Sequence, residues 1–217
     1  MSRLTEQCKD VKKLNKLVQT MLLLAMADIQ KAGVTAVVYE TYRTQDRQIY
    51  LYCQGRSVKE CIIDGIDKAL AMQYCSPEKN QITWTLDSVH TTHKAVDLVP
   101  KMNGKLAWDH TTKEQLTIIN AMAKYGFECG INWGTNKDSC HYQVKGAFNN
   151  VFTEKKNTTY VTQVIQKALN QKMNAGLVVD GIWGKKTTAA VNKFRKSQGY
   201  KTAFGQIGVI AFEALMK

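Results

Sequence analysis

The sequence predicts an α+β chain, in which a small antiparallel sheet with flanking helices is followed by a small all-α unit of three helices. Three observations predict this class. Apolar residues near the amino terminus recur at helical spacing and lead into a β-branched run. Two further strand patterns flank a polar connection, and the last quarter of the chain repeats a glycine turn that leads into a short helix.

The first predicted element is an amphipathic helix, because the apolar residues between Leu14 and Ile29 follow helical spacing. Lysines precede the apolar run from Leu17 to Ala27, so this run also has the pattern of a signal peptide. It is too short to span a bilayer. We favour the helix, since the spacing places the apolar side chains on one face.

Short strand and helix patterns follow in the first two thirds of the chain. Gly65 lies in the middle of the predicted helix at 57–73 and lowers its helix propensity. Pro100 ends the predicted strand from Ala95 to Val99, and Gly126 lies where the C-cap of the predicted helix at 113–125 is expected. The residues from Phe127 to Gln143 predict turns. The predicted strands are Val34 to Glu40, Gln81 to Thr85 and Ala95 to Val99, and the predicted helices cover 45–52, 57–73 and 113–125.

The composition becomes polar around residue 150, which predicts a linker between two domains. We therefore place a first domain at 1–150, a linker at 151–159 and a second domain at 160–217. Within the second domain a G-x-x-G turn occurs twice, 24 residues apart. Two such turns, each leading into a short helix, predict a small three-helix unit.

The chain carries a formal net charge of +12, with 30 Lys and Arg against 18 Asp and Glu. This excess favours a polyanionic partner, such as nucleic acid, an anionic membrane surface or the bacterial cell wall. Residues 157–217 contain nine basic and two acidic side chains, so most of the excess lies in the second domain. No basic-aromatic module typical of nucleic-acid recognition is evident in the sequence.

The cysteines are spread along the chain without a C-x-x-C pair, which predicts free thiols rather than a disulfide scaffold. This pattern fits synthesis in a reducing cytoplasm. The six residues are Cys8, Cys53, Cys61, Cys75, Cys129 and Cys140.

The chain has four histidines, which limits the possible metal sites. His90 and Asp97 are seven residues apart, on either side of a polar connection that could fold the chain back and bring them together. Asp138 and His141 are three residues apart in a second, turn-rich segment. Either spacing arises readily by chance, so these histidines could also be surface or structural residues.

The residues around these histidines resemble a known family. Residues 88–98 read SVHTTHKAVDL, which resembles the S-x-H-x-x-G-x-A-x-D signature of the bacterial D-alanyl-D-alanine carboxypeptidases and the related phage L-alanyl-D-glutamate endopeptidases. Residues 138–143, DSCHYQ, are similar to the second motif of that family. Upstream, 42–44 and 51–56 resemble the G-Y-R-S and L-Y-x-Q-G-R segments of the endopeptidase branch. Four motifs in family order are far more specific than one.

This resemblance implies one catalytic zinc ion per chain, held by His90, Asp97 and His141. Two imidazoles and one carboxylate leave a coordination position open for water. A general base must reach that water without binding the metal, and Asp138, close to a ligand in sequence, fits this role.

The resemblance also implies residues that contact the substrate. Arg43 is the expected electrophilic partner, which binds a substrate carboxylate or a developing oxyanion, although it could instead form a surface ion pair. Ser88 and Arg56 are further expected substrate-binding residues of this domain.

Three residues depart from the family pattern. His93 and Thr41 stand where glycine is usual, and Cys140 stands where proline is common. His93 could be an alternative metal ligand or a residue at the rim of the pocket. Another reading would make Cys140 and His141 a thiol nucleophile and its base, but adjacent residues point apart in an extended chain.

The second domain carries a separate resemblance. Residues 179–184, VDGIWG, and their surroundings are similar to the peptidoglycan-binding domain found beside many wall hydrolases. Modules of that family bind the wall in a shallow groove near this turn. We expect Trp183 near the groove, with a place in the core as the alternative.

Taken together, the resemblances imply a phage endolysin, which cuts the peptide stem of bacterial peptidoglycan at the L-Ala-D-Glu bond and thereby lyses the host. The alternative is a D,D- or L,D-carboxypeptidase that remodels the wall. We expect peptidoglycan as the partner, a monomeric chain, no nucleic acid and no stable membrane association. Without a convincing signal peptide, we expect the protein to stay in the host cytoplasm until it is released to the wall.

Overall fold

The computed structural model describes residues 4–144, 151–152, 159–201 and 205–216. The described chain is α+β, as predicted. An antiparallel sheet has the strand order β1-β2-β5-β4, and β3 pairs with the far end of β2. The strands of this sheet are β1 (Ala36–Glu40), β2 (Ala95–Met102), β3 (Lys105–Leu106), β4 (Phe127–Cys129) and β5 (His141–Val144).

Helices surround this sheet and make up most of the carboxyl-terminal part. A short ribbon, β6 with β7, joins the two parts of the chain. The bounds are α1 (Lys16–Lys31), α2 (Gln45–Cys53), α3 (Val58–Ile63), α4 (Lys68–Tyr74), α5 (Lys113–Lys124), β6 (Val151–Phe152), α6 (Thr159–Met173), α7 (Lys185–Ser197), β7 (Ile207–Gly208) and α8 (Val209–Met216).

Helix α1 confirms the amphipathic helix predicted from the apolar spacing. The side chain of Asn15 caps its first turn by accepting a hydrogen bond from the backbone N–H of Leu17 (2.9 Å). Met21 and Ala25 are fully buried on the inner face, whereas Leu23 is exposed. The helix packs against α5, so the buried apolar side chains of this run belong to the hydrophobic core. In the described parts of the chain, no helix has the length and hydropathy needed to cross a membrane.

Strand β2 is the central element of the sheet and carries the site residue Asp97. Ala95 to Pro100 are buried, because β1 and β5 flank the strand and the helices cover its face. The pairing register places Asp97 opposite Glu40 of β1 on one side and opposite His141 of β5 on the other. Residues that are far apart in sequence thus meet at one point of the sheet.

The predicted strand at Gln81 to Thr85 is wrong, since this segment is a loop. Its apolar side chains Ile82 and Trp84 are 54% and 45% exposed, so the segment has no buried face to form a strand against. The loop is held by the side chain of Gln48, which donates a hydrogen bond to the backbone oxygen of Thr85 (2.6 Å).

On its other side β2 pairs with β5, which pairs in turn with β4, in a region predicted as turns. These strands have four and three residues, which is too short for an alternating pattern to be recognised. The predicted helix at 57–73 also differs, because Gly65 adopts a left-handed conformation (φ +90°) and divides it into α3 and α4.

The carboxyl-terminal part contains the three predicted helices. Helix α8 packs against α1, and α6 against α5, within one continuous hydrophobic cluster. Most of the predicted linker lies outside the described residues. The domain limits therefore stay a prediction.

Candidate metal centre and active site

His90 lies in a short 3-10 turn, Val89–Thr92, that leads into β2. The hydroxyl of Ser88 caps this turn by accepting a hydrogen bond from the backbone N–H of His90 (3.4 Å). The imidazole is 1% exposed, and its Nδ1–H donates to the backbone oxygen of Thr41 (2.6 Å). This bond leaves Nε2 free to face the other two residues of the site.

His90, Asp97 and His141 meet at one buried point, as the sequence predicts. The Nε2 of His90 lies 3.1 Å from Asp97 Oδ1 and 3.1 Å from His141 Nδ1, and the last two atoms are 3.2 Å apart. A tetrahedral zinc ion with nitrogen and oxygen ligands at about 2.0–2.1 Å would separate them by about 3.3 Å. The spacing of the three atoms therefore fits such an ion.

The outer hydrogen bonds of the two histidines also fit a metal site. The Nε2–H of His141 donates to Gln143 Oε1 (3.1 Å), as the Nδ1–H of His90 donates to Thr41. Each bond fixes one tautomer, in which the nitrogen facing Asp97 has a free lone pair. Both histidines are thus prepared as ligands.

The charges of the site keep its carboxylate ionised. Burial acts to raise the pKa of Asp97, but the charges and hydrogen bonds of His90 and His141 outweigh it, so the pKa lies well below its ordinary value. Burial acts to lower the pKa of His141, but its hydrogen bond with Asp97 and the charge of Asp97 outweigh it and raise the pKa. An ionised, buried carboxylate between two imidazoles is a strong candidate for a metal site.

Arg43 lies beside this point, with its NH2 group 4.0 Å from Asp97 Oδ2. It is held by Glu40, which accepts hydrogen bonds from its Nε (3.1 Å) and NH2 (2.5 Å), and by Gln48, which accepts one from NH1 (2.8 Å). Glu40 also pairs with Arg47 at 2.8 Å. The guanidinium is therefore fixed next to the metal site rather than free in solvent.

A cleft of about 460 Å³ opens at these residues. Arg43, Asp97 and Asp138 line it together with exposed apolar side chains, among them Ile82 and Trp108. The predicted general base and the predicted electrophilic partner thus share one cleft with a metal-ligand candidate.

Asp138 is placed by a close approach of two loops. Its backbone N–H donates to the oxygen of Gly130 (3.2 Å), and a side chain at Gly130 would come within 2.5 Å of the backbone oxygen of Asp138. Asp138 Oδ1 accepts hydrogen bonds from the N–H and the thiol of Cys140 (3.2 and 3.1 Å). The loop therefore needs glycine at this position to bring the carboxylate to the cleft.

The thiol reading of Cys140 and His141 is not supported. The thiol donates to Asp138 instead of to a histidine, and burial together with the charges of Asp97 and Asp138 raises the pKa of Cys140. A thiol that holds its proton is a poor nucleophile.

His93 lies apart from the metal site. Its ring stacks on Tyr42 (4.1 Å between centroids, 2° between planes), and its Nδ1–H donates to the backbone oxygen of Lys13 (2.6 Å). The backbone of His93 is left-handed (φ 63°), which explains why the resembling family has glycine at this position. Among the described residues, the group of converging ligand atoms does not include His93, which argues against an alternative ligand, and the rim position stays a prediction.

Arg56 and Trp183 are placed differently from the expected substrate contacts. The guanidinium of Arg56 lies 3.8 Å from the centre of the Tyr52 ring and donates to the Tyr52 backbone oxygen (2.5 Å). Trp183 is 4% exposed and donates from Nε1 to Thr188 Oγ1 (3.1 Å), so it lies in the core, in contrast to the expectation of a groove residue. Its neighbours in the same turn, not its own ring, face solvent.

Several supporting residues were not recognised in the sequence. Gln143 follows His141 at the strand period, so its contact with the same ring could have been inferred once β5 was known. Glu40 is an acid at the end of a predicted buried strand and needs a cationic partner, which is a usable signal. The roles of Thr41 and Gln48 depend on hydrogen bonds to residues far away in the sequence, which no local pattern reveals.

Comparison with known proteins adds a family resemblance. Residues 81–144 match the sequence model of a family described as D-alanyl-D-alanine carboxypeptidase. Comparison with curated proteins gives no significant match.

Solved structures with a partly similar chain course include three described as peptidases. The Serratia marcescens L-Ala D-Glu endopeptidase ChiX is 20% identical, with a TM-score of 0.41, over 66% of this chain and 94% of its own. The LD-carboxypeptidase LdcB is 18% identical, with a TM-score of 0.40, over 63% and 61%. The D,D-pentapeptidase VanY, described in complex with Zn(II), is 18% identical, with a TM-score of 0.37, over 59% and 71%.

The matched segment 81–144 contains His90, Asp97 and His141 and also Asp138. The part of the chain that builds the metal site is therefore similar to the D-alanyl-D-alanine carboxypeptidase family, and this similarity supports a metallopeptidase.

Proposed function

We propose that this protein is a zinc-dependent peptidase that cuts the peptide stem of bacterial peptidoglycan. The observation that carries the proposal is the buried group of His90, Asp97 and His141, whose ligand atoms lie 3.1–3.2 Å apart. The group opens on a cleft that also holds Arg43 and Asp138. It lies within the segment that matches a peptidase family.

Each residue of the cleft has a separate role in the proposed reaction. When bound by the two histidines and Asp97, zinc would supply Lewis-acid chemistry and make water more acidic. Asp138 accepts the proton of the attacking water and passes it to the leaving amine. Arg43, fixed by Glu40 and Gln48, binds a carboxylate of the substrate or the oxyanion that develops at the scissile carbonyl.

The walls of the cleft suit a stem peptide. Arg43 and Arg47 supply positive charge for substrate carboxylates, whereas Ile82 and Trp108 supply apolar surface for short alkyl side chains. We assign the L-Ala-D-Glu bond as the site of cleavage, because the segments 42–44 and 51–56 resemble the endopeptidase branch. In this assignment Arg56 acts through its contact with Tyr52 of α2, the helix that carries the cleft residues Tyr50 and Leu51, and Ser88 acts by capping the turn of His90.

A carboxypeptidase is the second candidate, because the matched family is described as D-alanyl-D-alanine carboxypeptidase. The two activities give different products. An endopeptidase releases tri- or longer peptides that begin with D-Glu, whereas a carboxypeptidase releases free D-Ala. Mass spectrometry of the products from defined muropeptides separates them, and release of D-Ala alone would overturn the endopeptidase assignment.

The metal requirement is tested on purified wall. Protein treated with a chelator should lose hydrolysis and regain it with zinc but not with magnesium, because imidazole ligands prefer zinc. Full hydrolysis by protein shown to be free of metal would overturn the mechanism. Alanine at His141 should remove this zinc and the activity together.

We further propose that the carboxyl-terminal helices bind the wall. A cleft of about 300 Å³ lies between the end of α6 and α7, where Lys186 and Lys193 line it beside Leu177. Val178 and Ile182 nearby are 73% and 68% exposed, which is typical of a binding surface. Residues 160–217 should sediment with purified wall, and added salt should weaken the binding if the lysines dominate.

The proposed biological role is that of a phage endolysin held in the host cytoplasm until it reaches the wall. Expression of the chain in a bacterial host together with a membrane-permeabilising protein should cause lysis, and expression of the chain alone should not. Lysis of equal rate by an Asp138→Asn chain would contradict the role of hydrolysis.

A further inference from the structure

Three cysteines meet at a second point, away from the cleft. The Sγ atoms of Cys53, Cys61 and Cys75 all lie within 4.8 Å of one another. Cys53 and Cys61 are fully buried, and Cys75 is partly exposed. The sequence predicted free thiols but gave no sign that three of them would converge, because 22 residues separate the first from the last.

Backbone contacts hold two of these residues side by side. Cys53 ends α2, and Cys75 follows the last residue of α4 as its C-cap. The N–H of Ser76 donates to the oxygen of Cys53 (3.3 Å), and the N–H of Gly55 donates to the oxygen of Ser76 (2.9 Å). The two thiols are therefore positioned by the backbone rather than by flexible side chains.

The third thiol comes from α3, whose start is defined by a capping box. Ser57 accepts a hydrogen bond from the N–H of Glu60, and the carboxylate of Glu60 accepts one from the N–H of Ser57 (3.3 and 2.8 Å). Cys61 is the next residue and points into a small separate core with Ile66 and Ala71. Each of the three short helices thus contributes one sulfur atom to the same point.

We propose that Cys53, Cys61 and Cys75 bind a second, structural zinc ion that joins α2, α3 and α4. Zinc–thiolate bonds of about 2.3 Å separate tetrahedral sulfur ligands by about 3.8 Å, which is compatible with sulfur atoms that all lie within 4.8 Å of one another. Cys75 is partly exposed, so water could supply the fourth ligand of such an ion. Soft thiolate ligands also exclude magnesium and calcium.

The surroundings supply a reason for such an ion. Helices α3 and α4 have six and seven residues, which is too short for stability without tertiary support. Among the described residues, their separate core has four buried side chains, two of which are the cysteines themselves. A metal ion would add binding free energy to this region, which carries Tyr50 and Leu51 of the cleft wall on α2.

The test separates the two sites by using a chain without the first one. The full-length His141→Ala protein, purified under reducing conditions and loaded with zinc, should retain one zinc per chain by mass spectrometry of metals. Adding Cys61→Ser should remove this ion, whereas adding Cys8→Ser, a matched change at a thiol outside the group, should not. A His141→Ala chain that binds no zinc would overturn the proposal.

Cobalt provides a second readout that does not depend on the folding of the cysteine variants. Cobalt in the His141→Ala chain should give the intense near-ultraviolet absorption of thiolate-to-metal charge transfer. The proposed second zinc site would also be overturned by cobalt spectra without this absorption. A disulfide among the three cysteines, in protein prepared without oxidant, would overturn it as well. Neither result bears on the peptidase proposal, because the zinc of His90 and Asp97 is assayed separately through activity.

Discussion

At the scale of single residues, His93 shows how a departure from a family pattern is tolerated. Its left-handed backbone is unfavourable for a residue with a side chain, but the stacked Tyr42 ring and the bond to Lys13 hold it in place. An aromatic stack of this kind is worth about 0.5–1.5 kcal/mol, similar to the cost of about 1–2 kcal/mol for the left-handed conformation.

Glycine and alanine at His93 should therefore differ in stability. Both changes remove the stack, but only His93→Ala keeps the strained backbone, so its free energy of unfolding should be lower than that of His93→Gly by about 1 kcal/mol. Urea unfolding measures this difference. Both variants should keep the zinc of the cleft, and loss of that zinc would instead make His93 a ligand.

Asp138 can be tested as a base separately from the metal. Asp138→Asn keeps the shape of the side chain and can still accept the bond from the N–H of Cys140, but it cannot take a proton at neutral pH. We expect zinc content and KM to stay close to those of the parent protein and kcat to fall by about 10²–10⁴-fold.

The matched control for this change is Asp46→Asn, at an exposed position in the first turn of α2, which should leave kcat unaltered. If Asp138→Asn loses zinc in proportion to activity, Asp138 binds the metal. Near-normal turnover would place the base elsewhere.

At the scale of secondary-structure elements, the β2–β5 pairing assembles the metal site. The pairing places Asp97 directly opposite His141, and the strand period places Gln143 two residues further on the same face. A slip of one residue would turn His141 away from Asp97, so the register is a functional requirement.

The contribution of β5 beyond His141 can be measured at Gln143. Gln143→Ala removes the acceptor of the His141 Nε2–H, so the ring is no longer held in the tautomer that faces Asp97. We expect zinc affinity to fall by about 10–100-fold with little loss of stability. Competition with a chromophoric chelator measures the zinc affinity, and the exposed Gln30→Ala serves as the control. Equal zinc affinities of the two variants would show that the hydrogen bond between His141 and Gln143 has no role in zinc binding.

At the scale of the whole molecule, the carboxyl-terminal helices also cover the first part of the chain. Helix α8 packs on α1 and α6 on α5, and Lys124 of α5 lies 5.2 Å from the centre of the Tyr160 ring. These contacts join the predicted domains through an apolar surface, whereas their boundary was predicted from composition alone.

A chain that ends at residue 150 should therefore fold but be less stable than the full chain. Removing the helices exposes apolar side chains of α1 and α5, and each large side chain that loses its burial costs about 1.5–3 kcal/mol. We expect a lower Tm with zinc binding and the cleavage of soluble muropeptides retained. An unchanged Tm would mean that the contacts add no stability, and a chain that does not fold would contradict a boundary at this position.

Much of the local structure and of the candidate site followed from the sequence. The apolar spacing of α1 and α5 and the β-branched residues of β1 predicted these elements, since their periods are long enough to be recognised. The motifs around His90 and His141 identified the atoms that meet in the structure, because metal chemistry restricts which residue types can serve.

Features that depend on contacts between distant residues required the three-dimensional structure. The segment from Gln81 to Thr85 has the composition of a strand, but it has no apolar surface to pack against. Strand β5 has only four residues, and it forms because β2 lies beside it. The sequence around Trp183 is compatible with a place in a binding groove or in the core. Only the packing of the folded chain shows that Trp183 lies in the core. Local patterns report a residue's preference, whereas burial depends on neighbours supplied by other parts of the chain.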